Sequence, residues 1–303
     1  MGIVKRETRN HIQILHVDKK YTDAQFHKYK NRHVIPSQID EIIREDTDVY
    51  TSEGKLLLRF RKKQIGAELS DQFYENTIAF ARTPTNNRGS ATGSKTKNVR
   101  TNPKIMTNII GFFDGFSPKQ KHLIRAQGKK LLPVRATRFV MDYPNEYQRI
   151  IPYVSRIDEL YAKYVSDKYA EQKRKANQTP FRIGKTAFTT ITTNVNFNTT
   201  IHTDRGDDED GFGNLSVIER GSYLGGETCL PQYGIGVDVR TGDVLFMDVH
   251  EWHGNLPMRE KSADAERLSV VCYLRKRLWQ LTKGKTAKFM ERHNRTVKQL
   301  RKM

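Results

Sequence analysis

A histidine and an aspartate stand two residues apart at His202 and Asp204, at the end of a segment that alternates like a β-strand. Side chains at positions i and i+2 of a strand project from the same face, so both could reach one metal ion. A second imidazole, from His253 or His250, would complete a set of two histidines and one carboxylate. Such a set leaves three positions open on an octahedral iron(II) ion, as non-haem oxygenases require. The spacing therefore predicts a mononuclear iron site.

The His-x-Asp pattern is weak evidence by itself, because the same sequence carries His16-Val17-Asp18 with no supporting context. The pattern at His202 and Asp204 differs because other pieces follow it in order. They are a glycine-rich turn region, a Gly-Gly-Glu turn, a Gly-Asp-Val-Leu-Phe segment, a His-Gly pair and an arginine in an alternating segment. The ordered combination, rather than the short motif, indicates a functional site.

Arg267 begins the alternating segment R-L-S-V-V-C-Y, which is typical of a strand. A guanidinium group binds a carboxylate through paired hydrogen bonds, so Arg267 is a candidate to hold a carboxylate of a cosubstrate. Ser269 lies two residues further on the same face and could add a hydroxyl group. Arg259 is the rival cation, but it lies in the charged loop M-R-E-K. The alternative for Arg267 is an exposed ion pair with its acidic neighbours at 264 and 266.

Three asparagines, Asn194, Asn196 and Asn198, alternate just ahead of the histidine. Amide side chains that face inward are costly unless they find hydrogen-bond partners. We therefore predict that they bind a cosubstrate or substrate, with Asn196 and Asn198 nearest the metal.

Four segments together resemble a known catalytic core: H-T-D-R-G-D, Y-L-G-G-E-T-C-L-P, G-D-V-L-F-M-D-V-H-E-W-H-G-N and R-L-S-V-V-C-Y. They are similar to the 2-oxoglutarate and iron(II)-dependent dioxygenases, and within them to the TET/JBP type. The resemblance covers residues 188–274 and extends weakly back to Thr137. The residues before Thr137 match no family that we can name.

The resemblance implies roles for several of these residues. His253 becomes the favoured third ligand beside His202 and Asp204, because a His-Gly pair followed by a proline resembles the family's distal histidine. His250 remains the alternative. Arg267, with Ser269, Asn196 and Asn198, is then expected to bind 2-oxoglutarate. Asp207 falls near the family's H-x-D-x-x-D pattern.

The activity that the resemblance implies is hydroxylation of the C5 methyl group of 5-methylcytosine or thymine in DNA. Iron(II) and 2-oxoglutarate are the implied cofactors, with O2 as cosubstrate. A paired base is buried in the duplex, so it must be flipped out or offered on a single strand. Two alternatives stay open: a prolyl-, lysyl- or aspartyl-type protein hydroxylase on the same fold, and a non-catalytic nucleic-acid-binding module. The choice between the two bases, and between DNA and RNA, also stays open.

Charge points to the same kind of partner. The formal net charge of the 303-residue chain is +19, which favours a polyanion, and nucleic acid above all. Residues 275–303 contain eleven lysines and arginines but only one acid, Glu291. Residues 82–104 contain six lysines and arginines and no acid, among many Gly, Ser, Thr and Asn residues. Either segment could contact phosphates or could simply be a solvated basic surface.

Periodicity predicts the elements that carry these residues. Helical patterns occur at 22–32, 37–44, 70–80 and 145–176, and residues 283–302 are compatible with a helix that is polar on nearly all sides. Strand patterns occur at 55–62 and 135–142, from Arg182 onward, and at 215–219, 228–230, 236–239, 243–247 and 268–274. Many short strands separated by glycine-rich turns predict an α+β fold with a double-stranded β-helix (jelly-roll) core and buttressing helices.

The predicted organisation has three parts. A mixed α/β extension covers 1–136 and includes a basic flexible loop at 82–104. The dioxygenase core covers 137–282, and an appended basic helix covers 283–303. The sequence shows no apolar run of membrane-spanning length and no signal-peptide pattern. We therefore expect a soluble, intracellular monomer, nuclear or cytoplasmic, with no membrane partner and with Cys229 and Cys272 as buried free thiols.

Overall fold

The protein is described by a computed structural model that covers residues 2–85 and 105–301. All but the first four residues of the predicted basic loop at 82–104 therefore lie outside the described residues. The chain divides into two compact units. The first unit comprises Met1–Asn108, Thr193–Arg205 and Phe212–Val271. The second unit comprises Ile109–Thr192, Gly206–Gly211 and Cys272–Met303.

Strands and helices both contribute to the fold. The strands are β1 Ile3–Arg9, β2 Ile12–Val17, β3 Glu41–Ile43, β4 Thr47–Thr51, β5 Leu56–Arg61, β6 Met106–Phe113, β7 Arg135–Ala136, β8 Thr190–Val195, β9 Gly213–Arg220, β10 Tyr223–Leu224, β11 Thr228–Leu230, β12 Ile235–Val237, β13 Val244–Met247, β14 Gly254–Asn255, β15 Arg259–Glu260 and β16 Glu266–Tyr273. The α-helices are α1 Asp23–Phe26, α2 Ala67–Ala81, α3 Pro118–Ala126, α4 Arg138–Asp142, α5 Pro144–Tyr164, α6 Ser166–Ala176, α7 Lys276–Thr282 and α8 Ala287–Arg301. The predicted α+β class is confirmed. Among the described residues, no helix is both long and apolar enough to cross a membrane.

The first unit contains a large and a small β-sheet. Strands of the large sheet follow the order β1-β2-β4-β5-β13-β9-β16, continued by the first-unit residues of β8 and β6. The small sheet has the order β14-β11-β12-β3, and β10 pairs separately with β15. Strand β13 lies between β5 and β9 and is antiparallel to both. This pairing joins strands from the beginning of the chain to strands that carry the predicted site.

One apolar cluster is shared by the two sheets of the first unit. The large sheet contributes buried residues such as Val49, Phe60 and Leu245, and the small sheet contributes Leu230 and Ile235. Burial of each such side chain stabilises the fold by about 1.5–3 kcal/mol before entropy is counted. The two sheets therefore pack on a common core, which fixes the strands that carry the candidate site.

The pattern at 37–44 predicts a helix, and that prediction is wrong. Residues Pro36–Gln38 form a single 3-10 turn, in which the side chain of Gln38 accepts a hydrogen bond from the backbone N–H of Ile35. Strand β3 follows and pairs in parallel with β12, so that Ile42 lies opposite Gly236. Tertiary pairing overrides the local signal because Ile43 becomes buried in the shared core.

Two further predictions are corrected in the second unit. Most of the predicted strand at 135–142 is helix α4, and only Arg135–Ala136 is a strand. The predicted single helix at 145–176 is broken at Val165, whose backbone is not helical. Helix α6 lies against α5, where Asp158 accepts hydrogen bonds from Tyr169 at 3.0 Å and from Lys173 at 2.9 Å. These two bonds favour the break.

The C-terminal helix is not an appended polar segment as predicted. Helix α8 buries one side, with His293, Val297 and Leu300 each less than a tenth exposed. Phe289 packs against the second unit's apolar cluster, and Nε2 of His293 lies 2.8 Å from the carbonyl oxygen of Val134. Charged residues occupy the other side, so the helix is amphipathic and belongs to the core of the second unit.

We expect Leu300→Ala to lower the free energy of unfolding by about 2–5 kcal/mol, because it removes a side chain that is 1% exposed. Arg295→Ala is the matched control on the exposed side of the same helix and should change stability by about 0.5 kcal/mol or less. Urea denaturation followed by circular dichroism measures both values. If both substitutions changed the free energy of unfolding by the same small amount, helix α8 would have to be an appended segment after all.

Candidate metal centre and carboxylate site

His202 and His253 are brought together by a backbone bridge between their own residues. The N–H of each donates to the carbonyl oxygen of the other, at 2.9 Å in both directions. The N–H of Asp204 donates to the carbonyl oxygen of Val249, also at 2.9 Å. The two loop segments are therefore held side by side by main-chain hydrogen bonds, independently of any metal.

The side chains of the predicted ligands converge. Ligand atoms of His202, Asp204 and His253 all lie within 4.8 Å of one another. Nε2 of His202 lies 3.5 Å from one carboxylate oxygen of Asp204, and Nε2 of His253 lies 3.5 Å from the other. His250 does not belong to this group of ligand atoms. The structure thus brings together the favoured set of three.

Backbone contacts fix which ring nitrogen of each histidine faces the carboxylate. Nδ1 of His202 lies 2.7 Å from the carbonyl oxygen of Thr200, and Nδ1 of His253 lies 2.9 Å from that of Glu251. A carbonyl oxygen can only accept, so each Nδ1 carries the proton and each Nε2 keeps its lone pair in the neutral ring. Metal-binding histidines commonly use this support. The donor set therefore fits a divalent metal such as iron(II).

Electrostatics keep the carboxylate of Asp204 ionised. Burial alone would raise its pKa, but hydrogen bonds and charge interactions with His202 and His253 hold the pKa well below its usual range. The side chain of Asp204 is still 27% exposed, whereas that of His253 is 10% exposed. Asp204 is thus ionised at neutral pH, and its partial exposure leaves the ligand atoms open on one side.

Residues outside the sequence motif support the loop of His253. The carboxylate of Glu251 accepts hydrogen bonds from Lys55 at 2.8 Å and from the hydroxyl group of Tyr233 at 3.1 Å. Lys55 also pairs with Asp248 at 2.8 Å. No local spacing in the sequence predicts this support, because Lys55 is 196 positions from Glu251.

Gly254 allows the close approach on which the bridge depends. A Cβ atom at this position would lie 3.1 Å from the carbonyl oxygen of Thr199 and 3.2 Å from the backbone nitrogen of Ile201. Both distances are shorter than an ordinary van der Waals contact. The glycine after His253 therefore lets the two loop segments pack backbone against backbone.

Arg267 is buried on β16, with 6% of its surface exposed. Its Nη2 atom is buried and has no hydrogen-bond partner among the described residues. Gly226, at φ +79°, leaves room for the side chain, because a Cβ there would lie 3.1 Å from Cδ of Arg267. Burial lowers the pKa of the guanidinium group. A buried guanidinium group with one unsatisfied nitrogen suits an anionic ligand.

The two alternatives to this role of Arg267 find no support. Arg259 is exposed on β15. Glu266 is engaged elsewhere, since it accepts hydrogen bonds from Arg82 at 2.7 Å and from the hydroxyl group of Tyr74 at 2.6 Å. No ion pair between Arg267 and a carboxylate occurs in the described part of the chain. The structure therefore does not support the alternative of an exposed ion pair with Glu266 or Asp264.

Asn196 holds the backbone of Arg267. Its Oδ1 accepts from the N–H of Arg267 at 2.7 Å, and its own N–H donates to the carbonyl oxygen of Arg267 at 3.0 Å. Its Nδ2 donates to the carbonyl oxygen of Ala265 at 3.2 Å. Asn196 adopts φ +48°, a conformation that asparagine tolerates better than most residues. A direct contact between Asn196 and a cosubstrate stays a prediction. The structure does show that Asn196 positions the backbone of Arg267.

The remaining predicted residues have different surroundings. Ser269 accepts a hydrogen bond from Nδ2 of Asn194 at 3.1 Å. Oδ1 of Asn198 and Oγ1 of Thr200 are buried without a hydrogen-bond partner among the described residues. Asp207 belongs to the second unit, where it is buried and pairs through its backbone with Arg275. Binding roles for these residues stay predictions.

We expect His202→Ala, Asp204→Ala and His253→Ala each to abolish binding of iron(II), measured anaerobically by titration calorimetry, because each removes one of three converging ligand atoms. His250→Ala is the matched control from the same loop and should retain binding. Circular dichroism verifies that each variant is folded. Binding lost in His250→Ala but kept in His253→Ala would reverse the choice of the third ligand.

Comparisons with known proteins identify relatives of part of the chain. It is 34% identical over 146 residues to the thymine dioxygenase JBP1 of Trypanosoma brucei brucei, which is 48% of this chain and 17% of that protein. It is 32% identical over 198 residues to the bifunctional helicase and thymine dioxygenase JBP2 of Trypanosoma cruzi, which is 65% of this chain and 17% of that protein. The chain thus matches only about a sixth of the length of either relative.

A solved structure shares the fold. It is described as NgTET1 in complex with 5mC DNA and superposes with a TM-score of 0.53 at 15% sequence identity. The match covers 88% of this chain and 89% of that chain.

The profile of the Tet/JBP oxygenase domain of the 2OGFeDO superfamily matches residues 125–276, which is half of the chain. The matched range contains the three converging ligand residues and Arg267. The predicted family is confirmed: the chain belongs to the Tet/JBP family of oxygenase domains.

Proposed function

We propose that the protein is an iron(II)- and 2-oxoglutarate-dependent dioxygenase that hydroxylates the C5 methyl group of a pyrimidine base, 5-methylcytosine or thymine, in DNA. The observation that carries the proposal is the convergence of His202, Asp204 and His253, with each Nε2 beside the carboxylate. Bound iron(II), together with 2-oxoglutarate and O2, supplies the oxidising chemistry that the side chains themselves lack. Membership of the family supports the same activity.

Arg267 is proposed to bind the carboxylate of 2-oxoglutarate that lies away from the metal. Its Nη2 atom is buried without a hydrogen-bond partner in the described residues, and such a group is costly unless a ligand satisfies it. Asn196 fixes the backbone from which the side chain projects. Ser269 retains a hydroxyl proton that it can donate to the same carboxylate, and the unpartnered Oδ1 of Asn198 offers an acceptor.

The fold is proposed to be a double-stranded β-helix with the catalytic core at 137–282, and residues 1–136 add strands to its large sheet. Packing of two sheets on one apolar cluster supports the first part of this proposal. We further propose that the protein acts as a monomer.

DNA is the proposed substrate for two reasons. The relatives are named as thymine dioxygenases, and the structure that shares the fold contains 5-methylcytosine DNA. The net charge of +19 favours a polyanionic partner. The C5 methyl group projects into the major groove of a duplex, but a stacked base cannot enter a recessed site, so the base must leave the stack to reach the metal centre.

The binding of 2-oxoglutarate can be tested through its concentration dependence. Arg267→Ala should raise the concentration needed for half-maximal succinate release by about 30-fold or more, because losing a buried charge-assisted pair costs roughly 2 kcal/mol or more. Arg267→Lys should recover only part of the loss, since it keeps the charge but not the forked geometry. Arg259→Ala is the control and should leave the requirement nearly unchanged. A large effect of Arg259→Ala alone would move the carboxylate site to β15.

The substrate can be tested by mass spectrometry of nucleosides. Duplexes that contain thymine or 5-methylcytosine are incubated with the full chain, iron(II), 2-oxoglutarate and oxygen, then digested. We expect a base that has gained one oxygen atom from at least one duplex, and none with Asp204→Ala. Succinate release with peptide substrates, and no oxidised base from either duplex, would instead establish a protein hydroxylase.

A further inference from the structure

A cleft of about 260 Å³ lies in the second unit among residues of α3, β7, α4 and the end of α8. Three cations, Lys119, Arg135 and Arg138, line this cationic cleft together with Ser117 and Gln120. The other lining residues are apolar, and no acidic residue lines the cleft in the described part of the chain. Three like charges around one hollow repel each other, so the arrangement favours an anionic occupant.

Arg135 is held in place by neighbouring residues, whereas Arg138 and Lys119 are exposed. Nε of Arg135 donates to the carbonyl oxygen of Gly115 at 2.9 Å, and its guanidinium group lies over the ring of Phe113. Arg138 is 57% exposed and meets Asp142 at 3.4 Å. Lys119 is exposed and forms no ion pair among the described residues. The charged residues that line the cleft are thus all cations in the described part of the chain.

The exposed side chains of Lys119 and Arg138, rather than the end of helix α3, are the groups that can meet a ligand. The hydroxyl group of Ser117 accepts from the N–H of Gln120 at 3.2 Å, and the side chain of Gln120 accepts from the N–H of Ser117 at 2.9 Å. This reciprocal cap already satisfies two of the amide groups at the start of α3.

Size and surroundings indicate the class of ligand. Clefts that enclose whole small molecules measure about 300–1,000 Å³, so this cleft suits a single phosphate group better than a free nucleotide. Lys121 and Arg125 are exposed on α3, and Lys288 and Arg292 are exposed on α8. Further exposed cations on the two helices that line the cleft favour a polyanion over an isolated ion.

We propose that the cationic cleft binds a backbone phosphate of nucleic acid, as an anchor that acts through charge and not through the bases. The proposal rests on the proposed function in taking DNA as the partner, and it adds a specific phosphate site in the second unit. Phosphate contacts of this kind set affinity and position but carry no direct sequence information.

The test compares two double variants of the full chain that remove the same number of charges. Lys119→Gln/Arg138→Gln changes the cleft, and Lys5→Gln/Arg9→Gln changes exposed residues of β1. Fluorescence anisotropy with a short labelled duplex gives Kd over a series of salt concentrations. The cleft variant should bind about tenfold more weakly at moderate salt, and the slope of log K against log salt should be shallower by about one to two. Equal affinities and slopes for the two variants would overturn the proposal.

Three further measurements separate this proposal from the proposed function. Thermal unfolding establishes that the cleft variant is folded, and succinate release without DNA should match that of the unchanged protein. Suppose that the unchanged protein oxidises DNA, and that the cleft variant oxidises it at the same rate as the β1 variant. The cleft proposal alone then fails. If no base is oxidised but the cleft variant still loses DNA affinity, the proposed function fails and the cleft stands. Loss of binding to anionic lipid vesicles, with DNA binding unchanged, would also overturn the cleft proposal.

Discussion

The candidate site depends on one reciprocal pair of backbone hydrogen bonds, between His202 and His253 at 2.9 Å. These bonds, rather than the attraction of a metal, bring two distant imidazoles within reach of the same carboxylate. Main-chain bonds are less easily disturbed by substitution than side-chain contacts, because every residue except proline offers the same donor and acceptor. The side chain of residue 254 is restricted, however, since only glycine leaves the space that the neighbouring segment occupies.

Hydrogen bonds from neighbouring residues hold the side chains and backbone around the ligand atoms. Carbonyl oxygens hold both Nδ1 atoms, Glu251 is held by Lys55 and Tyr233, and Asn196 holds the backbone of Arg267. Most polar groups around the site are thus paired within the protein. The buried Nη2 of Arg267, like Oδ1 of Asn198 and Oγ1 of Thr200, has no partner among the described residues. The Nη2 atom of Arg267 can therefore bind a ligand without first breaking another hydrogen bond.

The three predicted ligand residues converge in the structure, and part of their pattern is local, because His202 and Asp204 share a strand-like spacing. The sequence predicted the strands at 228–230 and 243–247 closely because their patterns are local as well. The errors occurred where partners distant in the chain decide the structure. Residues 37–44 carry a capping pattern, but pairing with β12 makes a strand. Helix α8 has few apolar residues, and only its packing shows that they share one side. The role of Asn196 was likewise hidden, because its partners are about seventy positions away.

The position of β13 between β5 and β9 has a kinetic consequence. Contacts between β5 and the β13 region join residues as far apart as Lys63 and Asp243, which are 180 positions apart. Closing such long loops costs entropy before any pairing energy is gained, and chains with many distant contacts fold slowly, in milliseconds to seconds. The hairpins β1-β2 and β4-β5 can form early because they are local. The loop that carries His253 follows β13 directly, so we expect the metal centre to be assembled late in folding, after the central strand has docked.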